Sequence, residues 1–319
     1  MFKALFVLSL IVTKVYAQSN PYFLYNGTKY QLEWSYLSKA AEKRIFYPDK
    51  NRKKRIDEFL SSRPISSANI KGMMSKVRSQ GTRGTCSNFT TLGLLEPFID
   101  KNADYSEQCL AYHSSQDDSG VTEDKLKYII GNGIYHEVDC PYVNPTDFAD
   151  WYMADDKKRE SLKLLARNKL PNLDTAKKIY PPFKTIEQAV DGLTDGQYIA
   201  YIQNHLNNNI PIAASFFSVG DEWGTGLITT IPTEEEIKKQ CEKTASSSSI
   251  KKCSSHGVVL TGYDDSRRLI FFKNSWGEDW GLNEQYILPK DFKDKIGYGA
   301  FSYEYLAKFR LNSLVTLYN

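Results

Sequence analysis

The order in which residue types appear is the strongest constraint on what this chain can fold into. Helical patterns come first and strand patterns later, and the residues best suited to chemistry are divided between them. Gln80 and Cys86 lie at the approach to a helix, whereas His256 and Asn274 lie on strand patterns far downstream. A fold that uses them together must lay the start of that helix against the edge of a sheet. The order also points to an α+β protein with a helical lobe and a sheet lobe.

The run Gln80-Gly81-Thr82-Arg83-Gly84-Thr85-Cys86-Ser87-Asn88-Phe89 places an amide side chain six residues ahead of a cysteine. Phe89, Leu92 and Leu95 then recur at near-helical spacing, with Phe98 and Ile99 continuing the apolar side, so Cys86 is expected to open a helix. Pro97 removes a hydrogen bond from that helix and presses on the Gly93 carbonyl, which predicts a kink. A helix N-terminus and a nearby imidazolium both favour a thiolate. Gly84 lets the backbone turn tightly before the helix, and Gln80 is placed to donate its amide to an oxyanion.

Among the four histidines only His256 is followed by a glycine and an apolar strand run, Gly257-Val258-Val259-Leu260, which would hold an imidazole at a sheet edge. His113, His136 and His205 sit in polar or helical-surface settings. Asn274 ends the strand pattern 269–273, where its amide oxygen can accept the ring N–H of His256 and fix the tautomer. Trp276 would shield that bond from water. Singly, each feature has a blander reading: a cysteine is a disulfide partner or core filler, and Asn274-Ser275-Trp276-Gly277 is a packed turn.

Together these segments resemble the papain family of cysteine peptidases, whose corresponding runs read Gln-Gly-x-Cys-Gly-Ser-Cys-Trp-Ala-Phe and Asn-Ser-Trp-Gly. The likeness runs from about Ser62 to Arg310 and takes in Tyr105-Ser106-Glu107-Gln108, Asn132-Gly133-Ile134 and Cys140-Pro141-Tyr142. It implies a papain-like two-lobed α+β fold, a helical lobe carrying the cysteine helix and an antiparallel, barrel-like sheet lobe carrying histidine and asparagine. It implies peptide-bond hydrolysis through a thioester, with Cys86 as nucleophile, His256 as acid and base, Asn274 as its orienter and Gln80 as oxyanion donor. A polypeptide substrate follows, and no metal or organic cofactor.

The resemblance also marks departures. Gly120 matches one of two glycines whose backbone pairs with substrate, and Ser119 replaces the other. Arg83 stands where the family has a cysteine, Asp117 where its disulfide partner would be, and Ser87-Asn88 replace Trp-Ala. Two rival readings keep parts of the pattern: a transglutaminase-like acyltransferase or amidase acting on non-protein amides, and an inactive binding homologue. An asparagine orienter disfavours the first, and the complete set of four residues disfavours the second.

The chain has 319 residues, 41% hydrophobic and 25% charged, which excludes disordered and collagen-like classes. Residues 1–17 read as an export signal, with Lys3, an apolar run from Ala4 to Val12, and Val15-Tyr16-Ala17 as the cleavage site. That run is far shorter than the roughly 20 residues that cross a bilayer, so no transmembrane anchor is expected. Loss of Lys3 and Lys14 lowers the formal charge from +3 to +1, and nothing suggests nucleic acid. The compartment is then extracellular, periplasmic or lysosome-like, and disulfides can form.

Five cysteines are an odd number. With Cys86 free, Cys109, Cys140, Cys241 and Cys253 remain, and proximity favours Cys241 with Cys253 and Cys109 with Cys140; the alternative is that some stay reduced and buried. None of the four has zinc-site spacing.

Residues 18–62 form an N-terminal extension and a candidate prosegment that would inhibit the enzyme, with a helix expected around Leu32-Glu33-Trp34-Ser35-Tyr36-Leu37. The basic run Lys50-Asn51-Arg52-Lys53-Lys54-Arg55 reads as a solvated helix face or a processing site. The peptidase domain would occupy 63–319, with insertions near 147–193 and 229–255. In the second of these, Thr233 and Glu236 form a capping box for a helix bearing Cys241.

Overall fold

The computed structural model describes residues 22–25, 28–114, 118–243, 251–281 and 297–319. The expected signal 1–17 and Asp117 lie outside these residues. The chain begins with strands β1 (Tyr22–Tyr25), β2 (Thr28–Gln31) and β3 (Glu33–Tyr36), then helices α1 (Lys39–Phe46) and α2 (Arg52–Ser61), and β4 (Ser67–Asn69). Four helices follow, α3 (Cys86–Ile99), α4 (Glu107–Ser114), α5 (Thr122–Asn132) and α6 (Asp156–Asn168). The remainder is β5 (Lys184–Ala189), α7 (Asp195–Asn207), β6 (Ile212–Phe217), β7 (Leu227–Ile228), α8 (Glu234–Lys239), β8 (Cys241–Lys243), β9 (Lys251–Asp264), β10 (Leu269–Lys273), β11 (Tyr298–Ser302), α9 (Tyr303–Phe309) and β12 (Arg310–Tyr318).

Strand β9 organises the sheet half. The large sheet runs β5-β12-β6-β9-β10-β11-β7, and β3, β4 and β8 also pair with β9. The pairings are antiparallel except β7 with β11, so the sheet is mixed rather than purely antiparallel. Strand β10, Leu-Ile-Phe-Phe-Lys, is buried at every position, as a strand covered on both faces must be.

Helix α3 is buried along its whole first eleven residues and continues through Pro97 to Ile99, so the proline falls in its last turn. It rests on β9, and the close approach depends on Gly257. A Cβ there would come within 2.9 Å of Thr90 Oγ1 and 3.8 Å of the Cys86 carbonyl oxygen. The sequence pattern that set a glycine after His256 is thus what lets the start of a helix meet the sheet.

The helical half is joined by a Cys109–Cys140 disulfide, and Cys241–Cys253 links the neighbouring strands β8 and β9 three residues before His256. The Thr233–Glu236 capping box is present at the start of α8, but that helix ends at Lys239 and Cys241 opens a strand instead.

One further expectation is corrected. Leu32–Leu37 is not helical: Glu33–Tyr36 is a strand antiparallel to β9, and alternation of Tyr30, Leu32 and Tyr36 with polar residues is a period-two pattern that pairing on β9 exploits. The basic run opens α2, where Lys53 and Lys54 form a solvated helix face as read from the sequence, while Arg52 is buried and Arg55 donates to Asp49 and Asp195. Ile45 of α1 and Ile56 of α2 are fully buried in the main core.

Candidate active site

Cys86, the free cysteine among the described residues, is the first residue of α3 and is only 1% exposed. Its preceding residue Thr85 shares a hydrogen bond with the Tyr142 hydroxyl (2.7 Å). Because Gly257 lies against the first turns of α3, His256 is carried to the same place. The His256 Nε2 donates to Asn274 Oδ1 at 2.6 Å, which leaves Nδ1, without a hydrogen-bond partner, as the nitrogen able to take a proton. The ring lies 4.7 Å from the Trp276 ring and edge-on to Trp223 at 5.7 Å, both buried, so the His256–Asn274 bond is kept from water.

The next residue holds Gln80. The Ser275 hydroxyl donates to Gln80 Oε1 (2.6 Å) and the Gln80 N–H donates to the Ser275 carbonyl (2.8 Å), while the Ser275 N–H closes on Asn274 Oδ1 (2.8 Å). With its oxygen fixed this way, the Gln80 amide presents Nε2 on the other side, where it donates to the Arg83 carbonyl (2.8 Å) and the Gln31 carbonyl (3.2 Å).

Gln31 belongs to the N-terminal segment, which lies across these groups. The Tyr30 ring stacks on Trp276 (5.2 Å) and its hydroxyl donates to the Trp276 carbonyl (3.2 Å). Lys163 of α6 donates to Gln31 Oε1 (2.6 Å). Strand β3 pairs Glu33 with Ser255, one residue before His256, and Ser35 shares a hydrogen bond with the Ser255 hydroxyl (2.7 Å). The Glu33 carboxylate accepts from the Ser87 hydroxyl (2.9 Å).

Burial shifts the titration of these groups. Withdrawal from water, and then the Glu33 charge, push the Cys86 thiol well above its ordinary range. Burial brings His256 down to about 4. Burial likewise raises Glu33 to about 7, against the opposing pull of Lys125. In this conformation burial therefore favours the neutral forms of both thiol and imidazole.

Residues 63–297 match the model of a family described as papain family cysteine protease. The chain belongs to the papain family of cysteine proteases. No curated protein sequence matches it. Among solved structures, it is similar to xylellain, a cysteine protease from Xylella fastidiosa, at 18% identity over 85% of this chain and 90% of that one, with a TM-score of 0.51; this likeness is one of fold. It is also similar to the proform of Amb a 11, a cysteine protease and ragweed pollen allergen, at 21% identity over 79% of this chain and 66% of that one, with a TM-score of 0.46.

The two-lobed papain-like fold gives the departures from the family pattern a physical setting. Arg83 is buried and meets Asp118, the neighbour of Asp117, in a two-point ion pair (2.6 and 2.9 Å). Asn88 is buried too and donates to the Asp118 carbonyl (3.1 Å). Ser87 serves Glu33. Gly120, with φ +137°, is exposed at the end of the Asp118–Ser119–Gly120 loop.

Sequence reasoning missed four residues of this site: Glu33, Gln31, Trp223 and Ser275. Ser275 stood inside a motif already singled out and could have been found there. The other three meet the site only through pairing or packing with distant segments. Among the described residues, no cluster of three or more His, Cys, Asp or Glu could hold a metal ion, and no helix is long and apolar enough to cross a membrane.

Proposed function

We propose that this papain-like cysteine peptidase hydrolyses peptide bonds with Cys86 as nucleophile, and that the conformation described is its covered form. The observation that carries the reading is the Asn274-Ser275 pair, which holds His256 through one side chain and Gln80 through the next. Once the cleft is open, the Cys86 sulfur attacks the peptide carbonyl and its proton goes to His256 Nδ1. The oxyanion takes the hydrogen bond that Gln80 Nε2 now gives to the Gln31 carbonyl. His256 protonates the leaving amine, and a thioester remains. Water then attacks, giving its proton to the imidazole, and the acid product leaves with the thiol restored.

The inhibitory part of the extension is residues 22–37. Support comes from the contacts of Tyr30, Gln31 and Glu33 with Trp276, Gln80 and Ser87. Two disulfides suit a protein that acts in an oxidising compartment, in keeping with export directed by residues 1–17.

Digestion of a peptide library, with products mapped by mass spectrometry and the N-terminus of the active species sequenced, tests the whole reading. Peptide cleavage by the parent and none by Cys86→Ala is the expected result. Cleavage retained in Cys86→Ala overturns it.

A further inference from the structure

Three side chains converge on the loop Asp118–Ser119–Gly120, and each takes a different group. Arg83 Nε and Nη2 occupy both carboxylate oxygens of Asp118 (2.9 and 2.6 Å), Asn88 Nδ2 donates to the Asp118 carbonyl (3.1 Å), and Lys125 Nζ donates to the Ser119 carbonyl (3.2 Å). Arg83 is itself held. Its Nη1 donates to Gln108 Oε1 (2.6 Å) and the Val143 carbonyl (3.1 Å), and its guanidinium lies over the Tyr142 ring at 4.8 Å.

Asp118 and Ser119 line a cavity whose other walls include Gly84, Lys163 and, from the N-terminal segment, Gln31, Leu32 and Glu33. With the carbonyls of Asp118 and Ser119 both engaged from behind, the exposed backbone of Gly120 is the part of the loop left facing outward.

We propose that Arg83, assisted by Asn88 and Lys125, is a positioning residue for substrate: it fixes this loop so that the Gly120 backbone can pair with the backbone of a bound peptide. The inference rests on the peptidase reading and on Gly120 as a substrate-binding residue. A planar guanidinium forked onto a carboxylate sets orientation as well as distance. A buried ion pair adds little net stability compared with apolar side chains of the same volume, so fixed geometry is the advantage that it brings here. Arg83 and Asn88 both belong to the Gln80–Phe89 run. The residues that flank the nucleophile therefore also anchor the wall of the cleft.

The test uses the full chain, activated identically for parent, Arg83→Lys, Asp118→Asn and Asn88→Ala. It reads kcat and KM on a series of peptides of increasing length, and the rate at which iodoacetamide alkylates Cys86. The expected result is a KM raised about ten-fold or more for long peptides, little change for the shortest peptide still cleaved, and kcat and alkylation close to the parent's.

An equal rise for short and long peptides overturns the proposal, as does a fall in kcat with KM unmoved, because the pair would then act on α3 or Gln80. If the two charged-pair variants do not fold, Asn88→Ala decides, since it removes only one hydrogen bond; an unchanged KM for long peptides there overturns the proposal. A parent that is alkylated yet cleaves no peptide marks a failure of the peptidase reading instead.

Discussion

Glu33 accepts a hydrogen bond from the Ser87 hydroxyl at 2.9 Å, so a carboxylate from the N-terminal strand stands one residue from the free thiol. The groups facing it are Ser87 and Cys86 at the start of α3 and the Lys125 ammonium of α5. Its proton is held more tightly in the covered state than in open water. Protonation therefore favours closure: that contribution is complete below the ordinary value of 4.5 and is lost as pH rises through about 7. His256 acts in the opposite sense, because the covered state favours its neutral form; its contribution is complete above 6.5 and lost as pH falls through about 4.

The Glu33 contribution can be isolated with Glu33→Gln, which resembles the protonated carboxyl at every pH. The ratio of Cys86 labelling rates, parent over variant, cancels the intrinsic chemistry of the thiol. It is expected near one below pH 4.5 and to climb until about pH 7, where it levels off. A ratio that stays flat across that range rules out Glu33 as a pH-dependent element of the cover.

Ser275→Ala removes the hydroxyl that holds Gln80 Oε1 and leaves the amide free to turn. One hydrogen bond of this kind corresponds to a loss of up to about ten-fold in kcat, with KM little changed. Gln80→Ala removes the donor itself and is expected to cost about a hundred-fold or more. Steady-state kinetics on one peptide substrate check both. Additive losses in the double variant would contradict a shared role, because Ser275 has nothing to orient once Gln80 is gone.

Gly257→Ala sets a methyl group 2.9 Å from Thr90 Oγ1, on the surface where α3 meets β9. Overpacking of this kind destabilises by about 1–3 kcal/mol, and here it also drives the cysteine helix from the histidine strand. Denaturant unfolding and peptidase assays should both show the loss. Thr90→Ala in the same chain relieves the closest contact, and a coupling energy of opposite sign in the double-mutant cycle is expected.

The parts of this fold that were legible in the sequence are those whose chemistry is local. Cys86 at a helix start, Gln80 before it, and His256 ahead of Gly257 are read from neighbours in the chain. The strand at Glu33–Tyr36 reads as a helix in the sequence because six residues with two aromatics satisfy either period, and only pairing with Lys252–Ser255 decides between them. Arg83 was visible as a departure from a pattern, but its partner could not be read. A long side chain chooses between adjacent aspartates by geometry that the sequence does not carry, and it is Asp118 that meets the guanidinium. Trp223 reaches His256 from a segment with no motif of its own.

The boundary between the cover and the enzyme body is open to direct test. Ile45 and Ile56 are fully buried, and Asp195 at the start of α7 receives Arg55 at 2.7 Å and Arg310 at 3.0 Å, with Arg52 at 3.5 Å. A chain beginning at residue 38 keeps all of these contacts and loses the strand that holds Glu33. A chain beginning at residue 63 forfeits the burial of both isoleucines, about 1.5–3 kcal/mol each, and leaves Asp195 with Arg310 alone of the three arginines. The first truncation gives up the burial of Tyr30, Leu32 and Leu37 in the same core, so it is expected to melt below the full chain and to label rapidly at Cys86. The second is expected to melt well below it. Equal stability of the two would show that α1 and α2 are as dispensable as the strand before them, and would move the boundary of the enzyme body back to residue 63.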